Sequence, residues 1–75
     1  MIRFRLREVM AEKAFQDGKP VTINDVAAGT GISRNTLSKL ANEKGCSTIT
    51  SNIDLLCTYF DCRVEDLMYH EKNEF

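Results

Sequence analysis

Ile2, Phe4 and Leu6 alternate with Arg3, Arg5 and Arg7, which is the period of an extended strand. From Leu6 the spacing turns helical through Val9, Met10, Lys13 and Ala14, and predicts a first helix to about Phe15. Asp17-Gly18-Lys19-Pro20 breaks it as a turn. Thr22 then stands where a helix N-cap belongs, with Asp25 three residues on to favour the positive helix end. A second helix is expected from Ile23 to Ala28 or Gly29. Thr30-Gly31-Ile32 forms the next turn, with Gly31 free to take a positive φ. Ser33 caps a third helix that ends near Asn42. In this pair of helices Val26, Ala27, Ile32, Leu37 and Leu40 are the inward positions.

After an irregular stretch, Glu43 to Ile49, either Thr50 or Ser51 is expected to cap a fourth helix, Ser51 having capping-box spacing to Asp54. Its buried stripe is Ile53, Leu56, Cys57 and Phe60. Asp61-Cys62-Arg63 is a turn, Val64–Leu67 a single helical turn, and a polar tail follows from Glu71. Alternation at one end and the Leu67-Met68-Tyr69 run at the other suggest that Ile2–Arg5 pairs with Met68–His70 as a two-stranded ribbon. The fold class expected is all-α: about five short helices around a central helix-turn-helix, with that ribbon joining the ends. Residues 1–70 make one domain and 71–75 a tail, since 75 residues leave room for a single core.

The 43% apolar content suits a globular chain, and no run approaches the ~20 apolar residues that span a bilayer. The amino terminus has charge interleaved with apolar residues rather than the continuous apolar core of a signal peptide. With Cys46, Cys57 and Cys62 an odd set, this points to reduced thiols in a cytoplasmic protein. A zinc site on Cys57, Cys62 and His70 is a minor alternative, because close metal-ligand spacings are absent. Neither metal nor cofactor is expected. Catalytic residues are not expected either: His70 has no evident partner, and Gly29 and Gly31 bracket a turn without a phosphate-loop pattern.

A net charge of -1 looks poor for a nucleic-acid binder, but its distribution is uneven. Up to Gly45 eight basic residues face five acidic ones; beyond it two basic residues face six acidic ones. The polarity fits a basic face and an acidic face, and a solvated mixed surface is the plainer alternative. The third helix carries Arg34, Asn35, Ser38, Lys39 and Asn42 on its outer side. Arg offers a fork of donors for guanine O6 and N7, and Asn one donor and one acceptor for adenine N6 and N7.

Val26-Ala27, Gly31-Ile32-Ser33, Leu37 and Leu40, with Ile53-x-x-Leu56-Cys57-x-x-Phe60 and Val64-x-x-Leu67 downstream, resemble the Cro/CI-type (XRE-type) helix-turn-helix family, which includes lambda-repressor-like domains. The likeness runs from about Leu6 to Leu67. It implies a bundle of about five helices whose third enters the major groove of double-stranded DNA as a recognition helix. By position, Arg34 and Asn35 are the main base readers. Ser33, Ser38 and Lys39 lie at the groove, Ser38 close enough to read a base, and Asn42 lies at the backbone. Many members have Gln at the first position of helix two, gripping a phosphate and bracing the recognition helix. Ile23 stands there instead, leaving that task to Thr22, Asn24 or the helix amides.

Lys39, Lys44, Ser47, Thr48 and Thr50 form the expected phosphate clamp. Arg3, Arg5 and Arg7 are either a basic arm or, in preference, a solvated strand edge. The function expected is that of a small transcriptional regulator, a repressor in preference, bound as a homodimer to a palindromic operator. Tyr59, Met68, Tyr69 and Phe75 are candidates for the dimer surface. The alternative is a protein-interaction module, or an antitoxin component, on the same fold.

Overall fold

Breakers and caps divide the chain where the spacing of apolar residues changes. The computed structural model describes residues 1–43 and 46–72. Its chain order is β1 (Ile2–Phe4), α1 (Leu6–Asp17), α2 (Ile23–Thr30), α3 (Arg34–Asn42), α4 (Thr50–Phe60), α5 (Val64–Leu67) and β2 (Met68–His70). The two strands pair antiparallel, Ile2 opposite His70, Arg3 opposite Tyr69 and Phe4 opposite Met68. The Arg5 amide donates to the Leu67 carbonyl at 2.6 Å and extends the ladder into α1. The terminal ribbon thus forms as expected, although Arg5 itself lies just outside β1.

The core is apolar and small. Leu6, Leu37, Leu56, Leu67 and Val26 are fully enclosed, and Ile32, Leu40 and Ile53 are nearly so. Each such side chain contributes roughly 1.5–3 kcal/mol on burial. One leucine of α1, two of α3, one of α4 and one of α5 meet here, so the core ties every helix to α2 and its Val26. Ala27, Cys57 and Phe60 are only partly buried at its edge, less enclosed than the inward stripes imply.

Three boundaries differ from the sequence reading. Helix α1 runs past Phe15 to Asp17, because the stop is Gly18: at φ 71° its N–H reaches the Ala14 carbonyl and closes the last turn. Helix α2 runs past Gly29 to Thr30, whose hydroxyl donates to the Val26 carbonyl at 2.7 Å. Gly31, at φ 79°, then ends it with an N–H bond to Ala27. Helix α4 is capped by neither Thr50 nor Ser51. Ile49 is the extended N-cap residue, and Thr50 already lies in the first turn, so the Ser51–Asp54 box does not form. The Asn52 side chain instead donates to the Thr48 hydroxyl at 2.9 Å, and the Asn52 amide to the Ile49 carbonyl at 3.0 Å.

The helix-turn-helix unit is pinned at both entrances. The Thr22 hydroxyl accepts from the Asp25 amide, and the Asp25 carboxylate accepts from the Thr22 amide at 2.9 Å. Those bonds hold the Asp25 carboxyl below the usual carboxylate range. The Ser33 hydroxyl accepts from the Thr36 amide at 3.2 Å and donates to the Thr36 hydroxyl at 2.9 Å. Helix α4 crosses α2 at Gly29, where a Cβ would overlap Cε1 of the Tyr59 ring and stand 2.7 Å from its Cδ1. The Tyr59 ring meets Phe60 edge-on at 5.0 Å and lies beneath the Lys13 ammonium at 5.3 Å.

This close approach predicts the effect of one methyl group. In an open helix, Gly→Ala stabilises by about 1 kcal/mol. Gly29→Ala is expected to do the reverse, destabilising by about 1–3 kcal/mol through overpacking against Tyr59. Thermal melting checks it: a raised Tm would mean that the ring swings aside at no cost.

Candidate nucleic-acid interface

Helix α3 is nine residues long and two-faced. Leu37 and Leu40 enter the core, so the rows on the other side must point away from it. Arg34, Asn35, Ser38, Lys39 and Asn42 are all exposed there. The flank expected from the sequence is therefore a single continuous surface, fixed by two buried leucines.

Its polar groups are not independent. At the amino-terminal end, Arg34 Nη1 donates to Asn24 Oδ1 of α2 at 3.0 Å. Ile23, beside it, packs on the edge of the core. Asn24, not Thr22, therefore bridges the two helices, since the Thr22 hydroxyl already caps α2. At the carboxyl-terminal end, Arg7 of α1 donates from Nε to the Ala41 carbonyl at 3.2 Å and from Nη2 to Asn42 Oδ1. Asn42 Nδ2 in turn donates to the Ser38 hydroxyl at 3.2 Å.

The loop after α3 divides. Lys44 lies outside the described residues. Ser47 and Thr50 are exposed, whereas Thr48 is half-buried and accepts from Asn52. Thr48 and Thr50 both line an apolar cleft with Phe4, Ile53 and Met68. Ser33 and Thr22 are exposed but their hydroxyls serve as caps. Lys39 is exposed, and its backbone carbonyl receives the Glu43 amide at 2.8 Å.

The N-terminal arginines are not a free arm: Arg5 and Arg7 are exposed and Arg3 partly so, as on a solvated edge, and each has a partner within the domain. Arg3 pairs with Glu71 at 2.6 Å, which raises its already high pKa. The Arg5 guanidinium sits 4.5 Å from the centre of the Tyr69 ring, a cation–π contact. Arg7 is the one that reaches the exposed flank of α3. Sequence reasoning missed this role because an arginine donating to a backbone carbonyl 34 positions away leaves no local pattern.

The proposed zinc ligands do not converge. Cys57 and Cys62 lie around the end of α4, while His70 is on β2 next to the Met1 amino group. Among the described residues no three groups of metal-ligating type come together. Burial, followed by the neighbouring Cys57, pushes the Cys62 thiol up to about 11, which keeps it protonated at neutral pH. Among the described residues, no helix is long and apolar enough to cross a membrane.

Of the candidate dimer residues, Tyr59 and Met68 are half-buried, Tyr69 is exposed but lies under Arg5, and Phe75 is outside the described residues. Among the described residues the most exposed large apolar side chain is Phe15, at 85%.

The bridge between Arg34 and Asn24 predicts a separable effect. Both side chains are exposed, so Asn24→Ala should change stability by no more than about 0.5 kcal/mol. It should nevertheless shift the Arg34 side-chain NH resonances. Unshifted resonances in the variant would mean that the contact is not populated in solution.

The family profile of the Cro/C1-type HTH DNA-binding domain matches residues 5–73 of the 75-residue chain. Neither a curated protein nor a solved structure gives a significant match.

Proposed function

Because this chain belongs to the Cro/C1-type helix-turn-helix family of DNA-binding domains, we propose that it regulates transcription, as a repressor, by placing α3 in the major groove of an operator. What carries this reading is the exposed row Arg34, Asn35, Ser38 and Lys39, on a helix whose opposite side is locked into the core. A major groove admits an α-helix whose outward side chains reach base edges, those of its leading turn foremost. Arg34 and Asn35 stand in the first turn of α3. To meet a guanine, Arg34 exchanges its bond to Asn24 for O6 and N7, or keeps Nη1 on Asn24 and uses its remaining donors. Asn24 thereby takes over the bracing that Ile23 cannot supply.

Backbone contacts then come from Lys39, Ser47, Thr50 and Lys44. The caps Thr22 and Ser33 contribute through the helix amino termini that they close. Thr48 is less accessible than Ser47 and Thr50, being half-buried, although its hydroxyl accepts from Asn52 and keeps its own hydrogen to donate. A second copy on a palindromic operator would raise the occupancy of both through effective concentration.

One observation favours a different partner. Arg3 is paired with Glu71, so the basic excess of the first part is smaller than a residue count suggests. A protein-interaction module, an antitoxin among them, fits that balance better. Salt separates the two readings. DNA binding falls steeply as salt rises because neutralised phosphates release counterions, whereas a partner held by apolar burial responds far less.

Selection from a random duplex library, read by sequencing, tests the proposal. Enrichment of a two-fold motif is expected; a library left unenriched overturns it. Arg34→Ala should cost about 1–3 kcal/mol at one base position and relax the preference there. Equal binding of variant and parent to the selected site would remove Arg34 from the readout.

Lys44→Ala should weaken binding on every sequence alike and flatten the salt dependence by about one unit of slope. A loss confined to one sequence would contradict a phosphate contact.

A further inference from the structure

We propose that Arg7 is a positioning residue that sets the hydrogen-bonding polarity of the carboxyl-terminal half of α3, and so its preference for base edges that offer acceptors alone. The inference rests on the reading of α3 as the DNA-contacting helix. Its basis is a chain of three bonds running from α1 across the exposed flank: Arg7 to the Ala41 carbonyl, Arg7 to Asn42 Oδ1, and Asn42 Nδ2 to Ser38 Oγ.

The direction of each bond is fixed by chemistry. Arginine has donors and no acceptor. The group of Asn42 that faces Arg7 must therefore be its carbonyl oxygen, and the NH2 group must face Ser38. Since Ser38 Oγ accepts from that NH2, its own hydrogen points elsewhere and is available as a donor. Asn42 keeps its second N–H. Lys39, between them in sequence, has an ammonium with three donors and no acceptor. The carboxyl-terminal half of the flank thus keeps free donors on Ser38, Lys39 and Asn42, while the Asn42 carbonyl is engaged by Arg7 and the one acceptor left open is the second lone pair of Ser38 Oγ.

An unrestrained asparagine would behave differently. It offers one donor and one acceptor and pairs with N6 and N7 of adenine, whose exposed edge shows a donor beside an acceptor. With its carbonyl turned to Arg7, Asn42 no longer suits that edge. Guanine, with O6 and N7 both acceptors, suits it, as does thymine O4. Arg7 performs a second task with the same fork. Its Nε bond takes up the Ala41 carbonyl, one of the last carbonyls of α3, which have no partner within the helix. A positive charge is also favourable at that negative helix end. Lysine would keep the charge, but its point-like ammonium has no rigid fork to hold the carbonyl and the amide together.

The test compares the parent with Arg7→Lys, Asn42→Ala and the double variant, using the motif selected by the parent, its single-base variants and a salt series. Thermal melting confirms that each protein is folded, and the lysine variant carries the test if a more severe replacement at position 7 does not fold. Arg7→Lys is expected to lower discrimination by about fivefold or more at the same positions that Asn42→Ala relaxes. The double variant should lose no more than the larger single loss, because both act on one bond chain. The position read by Arg34 and the salt slope should stay as in the parent.

Unchanged base preferences in Arg7→Lys, with a motif intact in the parent, would overturn this inference and leave the DNA-binding proposal standing. Additive losses in the double variant, or a uniform loss on all sequences, would overturn it in the same way and make Arg7 an independent contact. A parent that selects no motif would sink both.

Discussion

Burial of Leu37 and Leu40 is the constraint on which the rest depends. Helix α3 has nine residues and makes few interactions of its own, so it cannot hold an orientation unaided. Its two leucines enter a core that also receives Leu6, Val26 and Leu56. Rotation of α3 by even a fraction of a turn would pull both from that core. The outward row is therefore a by-product of the inward one: with the leucines placed, Arg34, Ser38 and Asn42 have nowhere to go but the surface. A domain of this size has little stability in reserve, so the same few contacts maintain the fold and aim the polar flank.

Local chemistry was readable from the residues. Thr22 and Ser33 are caps, Gly31 takes the left-handed turn, and the apolar spacing places Val26, Ile32, Leu37 and Leu40 inside. Each of those signals acts within one turn of helix, so neighbouring residues suffice to reveal it. The start of α4 shows where such signals compete. Thr48, Thr50 and Ser51 are all capping types, yet Ile49 holds the cap position and Thr48 pairs with Asn52. Which of several adjacent residues enters the helix first is decided by the fit of Ile53 and Leu56 to the core, a term with no local signature.

The flank of α3 was legible as a list of residues but not as a network. Exposure follows from helical period, and the period is visible in the chain. The bonds from Asn24 to Arg34 and from Arg7 to Ala41 and Asn42 join elements brought together only by tertiary packing. Charge shows the same division. Counting residues separates a basic first part from an acidic remainder, but the ribbon then sets Arg3 against Glu71. Part of the apparent polarity is cancelled by contacts between the two ends of the chain.

Those end-to-end contacts also bear on the order of assembly. Ile2 faces His70 across almost the full length of the domain. Entropy is not the main obstacle, since doubling a loop adds only about 0.6 kcal/mol to its closure. Timing is. On a ribosome the first strand emerges long before its complement exists, at about 5–20 residues per second. Ile2 and Phe4 must wait for seconds without a strand partner while the helices behind them form and dock, so the ribbon is the seal applied last to a nearly finished domain.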